Sequence, residues 1–177
     1  NRLTPAEAIA VGRSLEEFNL YFFEDPIEPE NMDQWEYVAS SVPMPLAMGE
    51  RLYTVYQFLD LLNHRGAAFV RPDLSLAGGI TNIKKIAAIA EANYVGVVPH
   101  NPLSAVLTAA CVQLDAATHN IPVQEYPSDD ATGVKADLVD EPLTRDGGYL
   151  LVPDRPGIGI DLNEEAFAKY PTVSYDR

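Results

Sequence analysis

Ile83-Lys84-Lys85-Ile86-Ala87-Ala88-Ile89-Ala90-Glu91-Ala92-Asn93-Tyr94-Val95-Gly96-Val97-Val98-Pro99-His100 holds one full copy of the pattern that decides the fold. In its first half Ile83, Ile86, Ala87 and Ala90 recur three or four positions apart, the spacing of one apolar helix face. Tyr94 to Val98 is a short aromatic and β-branched run without polar alternation. Such a run reads as a strand covered on both faces. A polar residue, His100, follows the strand. Helix, buried strand and polar strand end together make the unit to search for in both directions.

Upstream, Thr4, Pro5 and Glu7 form a capping box with proline in the first turn, and Ala8, Val11, Leu15 and Phe18 predict a helix over about 5–18. Asn31 with Gln34 opens a second helix, striped by Trp35, Val38, Ala39 and Val42. Thr54 with Gln57 opens a third, striped by Val55, Phe58, Leu59 and Leu62. Downstream, Leu107, Ala110, Cys111 and Leu114 mark another. Strands are predicted at Leu20 to Phe23, Pro45 to Met48, Ala68 to Val70, Tyr94 to Val98 and Ile121 to Val123. Strands alternating with helices imply an α/β fold with a parallel sheet and right-handed crossovers.

Polar residues follow the strands at Glu24, Glu50, Asp73, His100 and Glu125, separated by 26, 23, 27 and 25 positions. A repeat of about 25 residues matches one eighth of a TIM-type (β/α) barrel, whose catalytic groups sit at the carboxyl ends of the strands. Five units would leave two long apolar sheet edges. The expectation is therefore the C-terminal part of a barrel. About three βα units and an N-terminal capping domain would be absent from this sequence, which begins without methionine. Residues 1–126 read as the barrel portion and 127–177 as a tail of the same domain. In that tail Ser128, Asp129, Asp130, Thr132 and Gly133 make a polar loop, Asp146-Gly147-Gly148 predicts a hairpin turn, and a short helix is expected from about Asn163 to Lys169.

The 177 residues are 47% hydrophobic and 21% charged, an ordinary globular composition. The net charge of −14 repels phosphate backbones and anionic lipid, so neither nucleic acid nor membrane is expected as a partner. It also disfavours an anionic substrate, unless a bound divalent cation reverses the local field. No apolar run reaches the roughly 18 residues of a membrane span, and no signal-peptide layout is present, so a cytoplasmic protein is expected. A homo-oligomer is expected as well. The single cysteine, Cys111, falls on an apolar helix stripe and reads as core.

The strand-end residues suit one chemistry. Glu24 and Glu50 on neighbouring strands are hard oxygen donors able to share Mg²⁺. Asp73 beside His100 would fix the imidazole tautomer and leave His100 as a base. Glu125, if protonated, could hydrogen-bond a developing oxyanion. Each residue also has a bland reading: Glu24 as a simple strand end, Glu50 as a helix-start residue before Thr54, Asp73 as a turn acceptor or N-cap, and His100 as a packed side chain. Arg51 either contacts substrate or compensates the acidic rim. His64 and His119 read as cations at helix C-termini, and Gly78-Gly79 is only weak evidence for phosphate binding.

Phe23-Glu24-Asp25-Pro26, Gly49-Glu50-Arg51, Arg71-Pro72-Asp73 followed by Gly78-Gly79-Ile80-Thr81, Pro99-His100-Asn101-Pro102 and Gln124-Glu125 resemble successive strand-end motifs of the enolase superfamily. They are most similar to the acid-sugar dehydratases of its mandelate racemase subgroup, the galactonate and mannonate dehydratase-like enzymes. Arg155-Pro156-Gly157-Ile158-Gly159 resembles their tail. The resemblance implies Glu24 and Glu50 as metal ligands, Asp73 and His100 as the catalytic dyad, and Glu125 as the acid near the substrate carboxylate, with His100, Glu125 and Arg51 touching the substrate. It places a further aspartate ligand and a histidine acid on a strand before Asn1. A lysine at the position of Asp73 would have marked the muconate-cycloisomerase-like branch.

The implied reaction is Mg²⁺-dependent removal of the α-proton of a sugar-acid carboxylate through an enediolate, followed by β-elimination of water to a 2-keto-3-deoxy acid. Racemisation or epimerisation of a 2-hydroxy acid is the alternative where no leaving group is present, and a non-catalytic acid-sugar-binding barrel is the alternative outside enzymes.

Overall fold

The computed structural model describes residues 2–127 and 131–170. It divides into two compact units, Asn1–His100 with Thr118–Gln124, and Asn101–Ala117 with Glu125–Arg177.

In the first unit helices and strands alternate: α1 (Pro5–Ser14), β1 (Phe23–Glu24), α2 (Met32–Ala39), β2 (Leu46–Met48), α3 (Val55–Asn63), β3 (Phe69–Val70), α4 (Gly79–Ala92) and β4 (Gly96–Val97). The strands form one parallel sheet in the order β1-β2-β3-β4, with Glu24 opposite Ala47, Met48 opposite Val70, and Val70 opposite Val97. The helix starts follow their local chemistry. Thr4 and Glu7 close a reciprocal capping box, Asn31 accepts from the Gln34 N–H, and Thr54 and Gln57 close a second box. Core side chains are Trp35, Met48, Phe58, Leu61, Val70, Ile83, Ile86 and Val97, all fully buried. Each contributes about 1.5–3 kcal/mol through the apolar surface it removes from water. Trp35 also donates its indole N–H to the Glu28 carbonyl at 2.9 Å.

Several predicted elements shift. The first helix ends at Ser14, and Glu16–Phe18 form a separate 3₁₀ turn closed by Asn19 in a left-handed conformation (φ 46°). That reversal delays the first strand from Leu20 to Phe23. Val42 lies beyond the end of α2, which stops at Ala39. The fifth predicted strand, Ile121 to Val123, is not a strand. Val97 donates to the Asn120 carbonyl at 2.8 Å, but Pro122 has no N–H with which to extend a ladder. The sheet of the described residues therefore has four strands rather than five.

In the second unit α5 (Ala105–Ala116) starts at Ser104, whose side chain accepts from the Leu107 N–H. Cys111 is buried within it and forms no disulfide. A short helix α6 (Gly133–Asp137) precedes the hairpin β5 (Arg145–Asp146) and β6 (Tyr149–Leu150), which turns at Gly147 in a positive-φ conformation. Helix α7 (Glu164–Lys169) follows. Arg155 pairs with Asp140 at 2.7 Å and Asp161 at 2.9 Å, tying the tail segments of this unit together. Ser128, Asp129 and Asp130 of the predicted polar loop lie outside the described residues. Among the described residues no helix is long and apolar enough to cross a membrane.

Candidate active site

Glu24 ends β1, and pairing with β2 fixes its main chain: Asp25 donates to the Ala47 carbonyl at 3.0 Å. β2 ends at Met48 and is followed by Gly49 and Glu50. Gly49 has φ +143°, and a Cβ there would lie 2.8 Å from Phe58 Cε1 and 2.9 Å from the Arg71 backbone nitrogen. Only glycine lets the chain pass this close to β3, and the passage sets where Glu50 emerges.

Glu24, Asp25 and Glu50 each present a carboxylate oxygen within 4.8 Å of the others. Asp25 is buried and held at φ 38°. Burial, and then the charges of Glu50 and Glu24, push its carboxyl up to about 7 from an ordinary 3.8. Arg71, just after β3 and only 3% exposed, pairs through Nε with Glu24 and lies over the Phe22 ring, 5.8 Å from its centroid. Crowded hard oxygens with one buried guanidinium beside them suit a divalent cation of the Mg²⁺ type.

Asp73 and His100 follow β3 and β4 and form a parallel bridge. His100 Nδ1 lies 3.0 Å from Asp73 Oδ2, and its Nε2 lies 3.3 Å from Glu50 Oε2. A carboxylate only accepts, so the Asp73 contact puts a proton on Nδ1; Nε2 faces the Glu50 carboxylate and serves as a base only where that carboxylate is turned to another partner. Asp73 is completely buried. Its Oδ1 accepts from the Ser75 N–H at 2.8 Å, the Ser75 hydroxyl and the Leu76 N–H at 3.2 Å. It is thus both a turn acceptor and the partner of the imidazole.

Four sequence-derived candidates, Glu24, Glu50, Asp73 and His100, lie together in the first unit. Glu125 belongs to the second unit, where its Oε2 accepts from the Asn101 N–H at 2.8 Å. Arg51 pairs with Glu28, and with Glu30 at 2.8 Å, so its charge compensates those two acids. His64 caps the end of α3 with Nδ1 2.9 Å from the Asp60 carbonyl, and exposed His119 lies 3.6 Å from Glu91. Gly78 and Gly79 stand at the start of α4 with positive φ. Asp25 and Arg71 are not singled out by the sequence. Both stand inside the strand-end motifs, which give neither a role, because burial of a charged side chain is a tertiary property.

Residues 1–166 match the family model described as enolase C-terminal domain-like. The chain is 39% identical over 158 residues to a D-galactonate dehydratase of Variovorax paradoxus, covering 86% of this chain and 41% of that protein. A D-galactonate dehydratase of Xanthomonas oryzae is also 39% identical, over 89% of this chain and 43% of its own length. This chain thus spans about two fifths of the relatives it matches. An enolase structure from Agrobacterium radiobacter, solved with sodium and L-malate bound, superposes with TM-score 0.90 at 35% identity over 99% of this chain and 48% of that one. A mandelate racemase/muconate lactonizing enzyme from Jannaschia sp. CCS1 gives 0.91 at 33% identity, over 98% of this chain and 44% of the other.

Proposed function

Since the chain belongs to the enolase C-terminal domain-like family, and so forms part of a (β/α) barrel, we propose that it carries the base and metal ligands of an acid-sugar dehydratase. The observation that carries this reading is the His100 imidazole, seated on buried Asp73 by one nitrogen while the other lies 3.3 Å from Glu50 in the carboxylate cluster.

In this reading Glu24 and Glu50, with Asp25 at hand, hold Mg²⁺. When bound there, the ion supplies positive charge to the substrate carboxylate and so makes the neighbouring C–H acidic. His100 Nε2 takes the α-proton, and Asp73 keeps the Nδ1 proton in place and stabilises the imidazolium that results. The electron pair of the broken C–H bond first forms the C=C bond of an enediolate, and then shifts to a C=C bond between the α-carbon and the next carbon as the C–O bond there breaks. The departing hydroxyl leaves as water, with a proton from the acid that the family resemblance implies outside this sequence. The enol then becomes a 2-keto-3-deoxy acid. Glu125, by the resemblance of Gln124-Glu125, donates a hydrogen bond to the substrate carboxylate as charge grows there. The stretch from 127 serves as the tail of the same domain, and the whole works as a cytoplasmic homo-oligomer on a small acid sugar.

The test is incubation with D-galactonate, then a panel of aldonic and aldaric acids, in deuterated buffer with and without Mg²⁺, following both α-proton exchange and keto-acid formation. Dehydration that needs Mg²⁺ and is lost in His100→Asn is expected. Exchange without keto acid would replace dehydration by racemisation or epimerisation. Activity surviving in His100→Asn would overturn the assignment of the base.

A further inference from the structure

Glu24 is aimed by sheet pairing, but Glu125 lies in a stretch, 121–127, with no regular secondary structure. Nothing in a strand ladder fixes it. Asn101 does so instead. Its backbone N–H donates to Glu125 Oε2 at 2.8 Å, and its side-chain Nδ2 donates to the Glu125 backbone carbonyl at 3.0 Å. Main chain and carboxylate of one residue are thus gripped by another. Nδ2 also donates to Thr108 Oγ1 at 2.7 Å, and that hydroxyl donates to the Ser104 carbonyl at 3.2 Å. Ser104 is the N-cap of α5. A continuous run of hydrogen bonds therefore leads from the first turn of α5, through Asn101, to Glu125.

The orientation of the Asn101 amide is forced. The Glu125 carbonyl can only accept, so Nδ2 must face it. Asn101 is completely buried, and its Oδ1 then accepts no hydrogen bond among the described residues. An unpaired buried acceptor is costly, and a side chain needed only for packing would avoid it. The residue is there for its two donated bonds.

We propose that Asn101 is the positioning residue of Glu125, setting the aim of the carboxyl that meets the developing charge on the substrate; this rests on the role given to Glu125 above. Electrophilic hydrogen bonding depends on placement to within a fraction of an ångström. The effect of Asn101 therefore passes entirely through Glu125.

The experiment is a double-variant cycle on the full protein with D-galactonate, measuring kcat and KM for α-proton exchange. Glu125→Gln is expected to lower kcat by about 10²- to 10³-fold, the size of losing one such stabilising contact. Asn101→Ala should lower it by about 10²-fold, as a misplacement of about 1 Å does, with KM within about twofold. The double variant should be no slower than Glu125→Gln alone. Multiplying losses, or a parental rate in Asn101→Ala, would overturn the proposal. Should Asn101→Ala not fold, Thr108→Val loosens the same tether and should lower kcat, while Thr108→Ser, which keeps the hydroxyl, should restore it; a parental rate in Thr108→Val then overturns the tether. A parental rate in Glu125→Gln would instead remove the role of Glu125 itself.

Discussion

Replacing Asp73 by asparagine isolates the tautomer argument, because the side chain keeps its shape. Oδ1 of Asp73 accepts three hydrogen bonds, from the Ser75 N–H, the Ser75 hydroxyl and the Leu76 N–H. In Asp73→Asn the amide oxygen stays on that side, which places the NH₂ against His100 Nδ1. Nδ1 must then accept, the ring proton moves to Nε2, and no base faces the carboxylate cluster. Turning the amide round would restore the productive tautomer but forfeit those three bonds, about 1 kcal/mol each and about 3 kcal/mol in all. That leaves about 1% of molecules productive, since each 1.4 kcal/mol is about a factor of ten. Exchange of the substrate α-proton should therefore fall by about 10²-fold or more, while the thermal midpoint changes little. The assay is loss of the α-proton signal in deuterated buffer, paired with ¹⁵N shifts of the His100 ring to read the tautomer. Exchange within about fivefold of the parent in folded Asp73→Asn, against the 10²- to 10⁴-fold range expected of a tautomer error, would refute the reasoning.

Further outcomes follow from other residues. Gly49→Ala puts a Cβ 2.8 Å from Phe58 and 2.9 Å from the Arg71 backbone at φ +143°; it should cost about 1–3 kcal/mol in urea unfolding and weaken Mg²⁺ binding by moving Glu50. Titrating Mg²⁺ into the parent should raise its stability, by about 2.7 kcal/mol at a hundredfold excess over Kd. Glu50→Gln should abolish that gain, and an equal gain in the variant would remove Glu50 from the ligands. Burial pushes the Asp115 carboxyl up to about 7, and its Oδ1 has no hydrogen-bond partner among the described residues. A folded-state value above the ordinary 3.8 means that this group's contribution is full below about pH 4 and lost as pH rises through 7. Asp115→Asn should flatten that slope in chemical denaturation and be the more stable protein at pH 8, by at most about 4 kcal/mol at 1.36 kcal/mol per unit. An unchanged slope would show that Asp115 is solvated.

What the sequence discloses is what local chemistry decides. Thr4 with Glu7, Asn31 with Gln34, and Thr54 with Gln57 name three helix starts to the residue, because a cap is satisfied within four positions. Helix α4, which has no side-chain cap, is legible from its apolar stripe, and the hairpin at Gly147 from its turn residues. Strand limits are less so. Apolar runs such as Tyr94 to Val98 are longer than the two residues of β4, since ladder bonds depend on the partner strand. Pro122 shows the converse: an apolar run reads as a strand until the missing donor is counted. The neighbourhood of His100, Asp73, Glu50 and Glu24 follows from strand-end spacing once a parallel sheet is granted. Asp25 and Arg71 escape notice because charged residues beside a strand end are ordinarily solvated.

Glu24 and Glu50 rise from adjacent parallel strands whose separation is set by peptide hydrogen bonding, about 4.8 Å in any sheet. That spacing and the turn at Gly49, which carries the chain three residues past Ala47 to Glu50, together set the gap between the two acids in the backbone rather than in the side chains around the rim. Preference among cations of different radius has to come from the number of oxygens reaching into that fixed gap. Adding or removing a donor, for example at Asp25, is therefore the lever by which the choice of ion would be altered.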